Sequence, residues 1–478
     1  MNGEPLPRTS PLAAAVAAVA ATAVGATFAV MNVYPAIAGA RVDQPEADHI
    51  RLILLGTLIA AVGAAVLAVP LRHRFGGWPL AGAGLAALMA VAALTSSISG
   101  PEAVLLYWAA LSATGGLALL GTLNAAAGSV HRLAIGAGLA AGLAGSRLLW
   151  HLMNLAYAQV DLPPTAAELM VPGATLLLVI VAALTDPPGR PVRPEQPERP
   201  AGTGGLLAVV GAAVFLLAAG SVTLRVLYEA LRVSADGLAS LRRMEFVQDL
   251  TYFGPLVLAL LLATLLTWYA ARRGGADLAR WTVLAFAAAA PLGYLQIGVR
   301  GDGELIDQLP AALAAVAGAA AGTLLVRRAD RWFAWETIGL ALSAVGVLAG
   351  LVAYRQTPTW WTMSGLLLAG GLGLALGAGV VRVLGTAEGG PVRTAGSVGL
   401  GFATLLLAAQ ALGPVVWRAQ QSDGYGEIPL TIPVLTGVLA IVLLVLFGVG
   451  RTMRRLRADL LEQARVAAAA EPAAPAAN

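Results

Sequence analysis

PLGYLQIGVRGDGELIDQLPAALAAVAGAAAGTLLVRRADRWFAWETIG, from Pro291 to Gly339, holds the pattern on which the fold turns. An apolar stretch closes at Tyr294, Leu295 and Gln296, a short polar turn carries Arg300, Asp302 and Glu304, and a second apolar stretch opens at Leu309 and Pro310. That second stretch is free of charge until it meets Arg327, Arg328 and Arg331. A membrane-spanning helix needs about 20 mostly apolar residues, so the unit reads as one complete crossing between a small outer loop and a basic loop.

The same unit recurs along the chain. Among its 478 residues 58% are hydrophobic and 12% charged, with a mean hydropathy of +0.78, whereas a soluble domain carries about 25% charged residues. So little polar surface excludes an ordinary water-soluble protein. The fold class expected is an all-α polytopic membrane protein with about fourteen spans. They fall near 11–37, 50–70, 78–97, 103–124, 132–152 and 167–185, then near 204–230, 247–271, 279–299, 308–326, 333–354, 360–382, 395–416 and 428–450. The first run is too long for the core of a signal peptide and reads as a span.

DPPGRPVRPEQPERPAG, from Asp186 to Gly202, cannot be helical through its prolines and reads as a linker. The domains expected are a six-helix bundle over 1–185, a linker over 186–203, two extra spans over 204–271, a second six-helix bundle over 272–451, and a tail over 452–478 that is disordered beyond about Ala467. The charged stretch 229–250 also reads as an amphipathic helix at the interface.

Cysteine and lysine are both absent, so thiolate metal sites and disulfides are excluded and all 30 basic residues are arginine. No metal or cofactor is expected. The pI near 9.7 does not point to nucleic acid, because the arginines flank apolar spans instead of forming an aromatic-interleaved patch. Counted on alternate sides of the segmentation they divide 20 to 10. Cytoplasmic loops are enriched in arginine, which places both termini in the cytoplasm of a bacterial, high-GC-type cell and the protein in its inner membrane.

Three stretches resemble the fourteen-span drug:proton antiporter branch of the major facilitator superfamily. FAVMNVYPAIAGA, from Phe28 to Ala40, is similar to that branch's first-span signature, one residue shorter between Asn32 and Pro35. LRHRFGGWPL, from Leu71 to Leu80, stands where the superfamily carries its first basic cytoplasmic loop, with Arg74 and Gly76 matching. The opening stretch matches at Tyr294, Leu295, Gln296, Leu309, Pro310, Gly322, Leu324 and Arg327. The resemblance implies two six-helix bundles that rock about a central cavity. It also implies a conformational latch at Arg72, Arg74 and Gly76 in one half and Arg327, Arg328 and Arg331 in the other. The loop Asp aligns with His73, and the span-1 acid aligns near Thr27. Proton antiport is therefore not carried over.

No Asp or Glu falls near the middle of a span; the nearest, Glu168, Glu229, Asp249 and Asp307, sit in the outer third or at a boundary. A carboxylate that can be neutralised is what couples a carrier to protons, so a facilitator or uncoupled carrier is expected. The candidate cavity residues are Asn32, Tyr34, Arg147, Asp249, Gln296 and Gln410. Arg147 lies about 22 Å along its helix at about 1.5 Å per residue, where it either snorkels or pairs, with Glu168 for instance, or lines an outer vestibule. His151 shares its face, and Arg225 with Glu229 has the spacing of an intrahelical pair. Gly-rich LLLAGGLGLALGAG, from Leu366 to Gly379, lacks the Lys of a phosphate loop and reads as close helix packing.

The function expected is a transporter, not an enzyme, moving a small amphipathic or lipid-like compound, with the bilayer, that solute and a further membrane protein as partners. Two other readings stand beside it. One is a carrier-derived accessory protein without transport. The other is a polytopic glycosyltransferase using Asp43, Glu46 and Asp48 of the first outer loop.

Overall fold

A computed structural model describes residues 10–33, 76–94, 101–160, 164–186, 276–297, 305–329, 334–353, 358–385 and 428–470, with isolated positions between 261 and 268. Every element among the described residues is helical. In chain order they are α1 (Pro11–Phe28), running into a π-helical turn over Ala29–Val33, α2 (Gly77–Ala92), α3 (Pro101–Gly128), α4 (Arg132–Val160) and α5 (Pro164–Thr185). The second half supplies α6 (Ala276–Ile297), α7 (Leu305–Ala329), α8 (Trp335–Ala353), α9 (Pro358–Gly385) and α10 (Ile428–Ala470).

Seven of these helices are long and apolar enough to cross a membrane, and the chain is a multi-pass membrane protein. The spans expected near 50–70, 204–230 and 395–416 lie outside the described residues, as does nearly all of 247–271. Each of the other ten coincides with a helix, most of them within a few residues at either end, while α4 runs on to Val160. The last helix departs most. It continues through Gly450 to Ala470, because RTMRRLRADLLEQARVAAAA is built of strong helix formers and meets no proline until Pro472.

Helix association in lipid depends on close packing, which small residues permit. Within the first half α1 lies along α4, and a Cβ added at Gly142 would run into the Thr22 carbonyl. Within the second, α7 lies along α9, and a Cβ at Gly373 would run into the Ala315 carbonyl. The glycine-rich run of α9 is thus a packing surface, as its lack of lysine implied.

The two halves meet along α4. Its Gly136 faces Val380 and Leu384 of α9, while Gly145, nine residues further along, faces Ala312 and Ala315 of α7. The side of the bundle from which α1, α2, α4, α6 and α8 start is here the proximal side, and the opposite one distal. The α9 contact is then proximal and the α7 contact lies in the distal half.

Candidate functional site

Arg147 sits on α4 at the seam. Its Nη1 donates to the Leu295 carbonyl of α6 at 2.7 Å, so the guanidinium links the two halves in the distal half of the bundle. That carbonyl belongs to the last turn of α6, where carbonyls lack intrahelical donors and the helix dipole favours a cation. One turn along α4, the buried His151 Nε2 has no hydrogen-bond partner among the described residues. Tyr294, the residue before Leu295, is buried with its hydroxyl beside Gly350 of α8 and Ser364 of α9.

Asn32 lies in the π-helical turn that ends the described part of the first span. Such turns widen the backbone ladder and occur often at functional sites. Just before it, Thr27 Oγ1 and Thr175 Oγ1 are 2.8 Å apart and join α1 to α5. Thr175 also donates to the Val171 carbonyl at 2.9 Å, so Thr27 supplies the proton of the pair. A neutral hydroxyl pair thus joins the two helices at this depth. Gln296 is on the last turn of α6, and of its side chain nothing further is described. Tyr34, Asp249 and Gln410 lie outside the described residues.

The proximal ends hold two polar clusters. In the second half Glu336, on the first turn of α8, accepts from Arg280 Nη2 of α6 at 2.9 Å and from Arg382 Nε of α9 at 2.6 Å. All three are buried, Glu336 and Arg280 at 2% exposure and Arg382 at 4%, and Phe447 of α10 places its ring 5.0 Å from the Arg280 guanidinium. One carboxylate and two arginines thereby tie three helices, and the Phe447 ring adds α10 as a fourth. In the first half the buried Asp186, just past α5, accepts from Trp78 Nε1 of α2 at 2.9 Å and from Ser129 Oγ, between α3 and α4, at 2.8 Å. Each half therefore gathers its proximal helix ends around one buried acid.

Of the loop positions expected to act as a latch, Gly76 has φ +74°, a left-handed conformation that only glycine adopts without strain, and it launches α2 at Gly77. Arg327 and Arg328 are exposed at the end of α7. Arg72, Arg74 and Arg331 lie outside the described residues.

Sequence reasoning missed the buried acids. Glu336 lay inside the span expected near 333–354 without being singled out, Asp186 counted as the start of a linker, and Arg280 and Arg382 entered only the count of arginines on one side of the membrane. One signal was available: in RWFAWETIG the acid follows the apolar run Trp332 to Trp335 directly after an arginine-rich loop and opens a long apolar stretch, and a lone carboxylate there needs cationic partners.

No family model and no curated protein matches the chain. Solved structures do. The peptide transporter POT in complex with sulfate aligns over 91% of this chain and 95% of that one, at 16% identity and a TM-score of 0.51. A mutant of a peptide transporter POT in complex with alafosfalin covers 92% and 94% at 16% identity, with a TM-score of 0.53. The major facilitator proton:xylose symporter XylE, bound to 6-bromo-6-deoxy-D-glucose, covers 90% and 93% at 10% identity, with a TM-score of 0.52. Likeness at such identity speaks for the fold, and the fold of this multi-pass membrane chain is that of the major facilitator transporters.

Proposed function

We propose that the chain is a major-facilitator-type carrier that moves a small amphipathic or lipid-like compound across the bacterial inner membrane by alternating access, with its proximal side in the cytoplasm. The observation that carries this reading is the double seam of α4. It meets α9 near the proximal end, and α7 and α6 in the distal half, so the two contacts involve different partners and can open one at a time. Rocking of one bundle, 1–185, against the other, 272–451, about such a seam is how two-bundle carriers expose a central site alternately. The clusters around Asp186 and Glu336 keep each bundle's proximal end rigid during that motion, and the basic loops at Arg72 to Arg74 and Arg327 to Arg331 serve as latches between them. Asn32 in its π-helical turn, with Tyr34, Gln296, Gln410 and Arg147, supplies the polar groups of the cavity. Asp249 belongs to the same set.

Export is favoured over uptake by the resemblance to drug exporters alone. The cargo class follows from the shortage of fixed charge in the spans: a strongly polar solute would leave its groups unpaired there.

The test is thermal stability of the purified protein against a panel of antibiotics, dyes, lipids, sugars and amino acids. A ligand at 100 times its dissociation constant adds about 2.7 kcal/mol. A hit that disappears in Asn32→Ala, followed by flux of the same compound in proteoliposomes with and without a pH gradient, supports the carrier. A ligand that binds without ever crossing would turn the reading to an accessory protein derived from a carrier.

A further inference from the structure

The extension of α10 beyond the membrane is unaccounted for by any transport step. The helix is 43 residues long, about 64 Å at about 1.5 Å per residue, roughly twice a hydrocarbon core of about 30 Å. Its apolar run ends at Gly450, and from Arg451 to Val466 every residue is exposed.

At about 100° per residue that exposed segment has two faces. Met453, Leu456 and Leu460, 60%, 51% and 65% exposed, form one stripe that Ala464 continues, while Leu461 and Val466, also exposed, fall outside it. Arg451, Arg454, Arg455 and Arg465 lie on the opposite side, Arg457 flanks the stripe, and Asp459 and Glu462 are the only acids. A helix with large apolar side chains on one face and arginines on the other is the pattern of helices that lie in a membrane interface. Four arginines within the seven residues after a span are also the pattern that recognises anionic lipid.

A second copy of the chain is the other candidate to cover the stripe. Against it, pairing would bring together two segments that each carry five arginines against two acids, and the stripe is broken by Gln463 after two turns of large residues. The bilayer surface offers the opposite charge and is already adjacent. Gly448 and Gly450 stand at the end of the span, where glycine's conformational freedom eases a bend of the helix toward the surface.

We propose that residues 451–470 form an interfacial helix that binds the anionic headgroups of the leaflet it leaves, seating Met453, Leu456 and Leu460 among the acyl chains. Arg457, on the flank, reaches the headgroup phosphates. The remaining arginines stay within about a helix diameter of the surface, on the order of one Debye length at physiological salt. The proposal is independent of transport and stands or falls on where this helix sits.

The chain has no cysteine, so single labels can be placed on the full-length protein without background. Leu460→Cys on the stripe and Ala458→Cys on the polar side, each carrying an environment-sensitive fluorophore, are reconstituted in phosphatidylcholine vesicles with and without phosphatidylglycerol. With phosphatidylglycerol the label at 460 shifts to the blue and is quenched by doxyl-lipid, while the label at 458 is quenched from the water. Omitting the anionic lipid, raising the salt, or combining R454Q, R455Q and R457Q releases the helix, by about fivefold in partitioning per arginine. Two results overturn the proposal. One is a label at 460 open to aqueous quencher in anionic vesicles. The other is a label at 460 protected equally in neutral vesicles and at high salt, which would mean that protein covers the stripe.

Discussion

Replacing Glu336 by alanine removes the one carboxylate that receives both Arg280 and Arg382, at 2.9 and 2.6 Å, in a site where all three side chains are almost fully buried. Taking one partner from a buried ion pair costs about 3–5 kcal/mol, because the remaining charge stays behind without compensation. Here two guanidinium groups lose the same acceptor at once, which sets the effect in the upper part of that range. For a cooperative unit of 150–250 residues each kcal/mol moves the melting temperature by about 2–4 °C, and the second bundle is of that size. The expected fall is therefore on the order of 15 °C, reported by Trp281 and Trp335, which neighbour Arg280 and Glu336 in the chain. Glu336→Gln retains one acceptor oxygen but turns an amide toward an arginine, and falls between the parent and Glu336→Ala. The informative control is the fully apolar replacement, R280M with E336L and R382M. Buried ionic triads exchanged for well-packed apolar groups are often neutral or more stable by about 1–4 kcal/mol, so this variant melts at or above the parent temperature. A melting temperature for Glu336→Ala within about 2 °C of the parent would refute the argument, because the cluster would then be hydrated and of little weight.

Three further outcomes follow from the same geometry. Gly142→Ala forces α1 away from α4 and costs about 1–3 kcal/mol or more, whereas Gly437→Ala on α10, where a Cβ meets nothing within 4 Å, is neutral or gains up to about 1 kcal/mol of helix propensity; thermal unfolding of both variants in the same detergent checks the contrast. Asp186→Asn presents an amide to one of its two donors, Trp78 Nε1 and Ser129 Oγ, and loses about 1–3 kcal/mol, with a change in tryptophan fluorescence marking the loss at Trp78. Thr27→Val and Thr175→Val each leave one hydroxyl short of a partner, while the double variant leaves none, so a double-mutant cycle gives a coupling of about 1 kcal/mol; additive effects would mean that the 2.8 Å contact contributes nothing.

The fold was legible because the bilayer imposes a single rule on sequence: a crossing must satisfy its backbone internally over about 20 apolar residues. The stretch from Pro291 to Gly339 obeys it visibly, and α6, α7 and α8 begin and end within a few residues of the expected limits. Where water takes over as solvent the rule lapses. The basic continuation of α10 past Gly450 carries no hydropathy signal, although its propensity is strongly helical. The site was legible only in part. Arg147 stood out because a charge deep within a span is rare, and it does bridge the halves, through a backbone carbonyl that no sequence pattern announces. Glu336, Arg280 and Arg382 are separated by 56 and 46 residues and meet only after four helices have packed. Each of them taken alone has the position of an ordinary charge at a helix end.

Alternating access requires the α4 seam to open at one end while it closes at the other. Ala312→Cys in the distal seam and Leu384→Cys in the proximal seam, introduced singly into this cysteine-free chain, can each be titrated with a membrane-impermeant thiol reagent in open membranes, with and without a ligand found in the stability panel. With alternating access the ligand moves the two reaction rates in opposite directions, one cysteine becoming more reactive as the other is shielded. Two rates that stay low and unchanged, or that rise and fall together, would contradict alternating access and leave a static bundle.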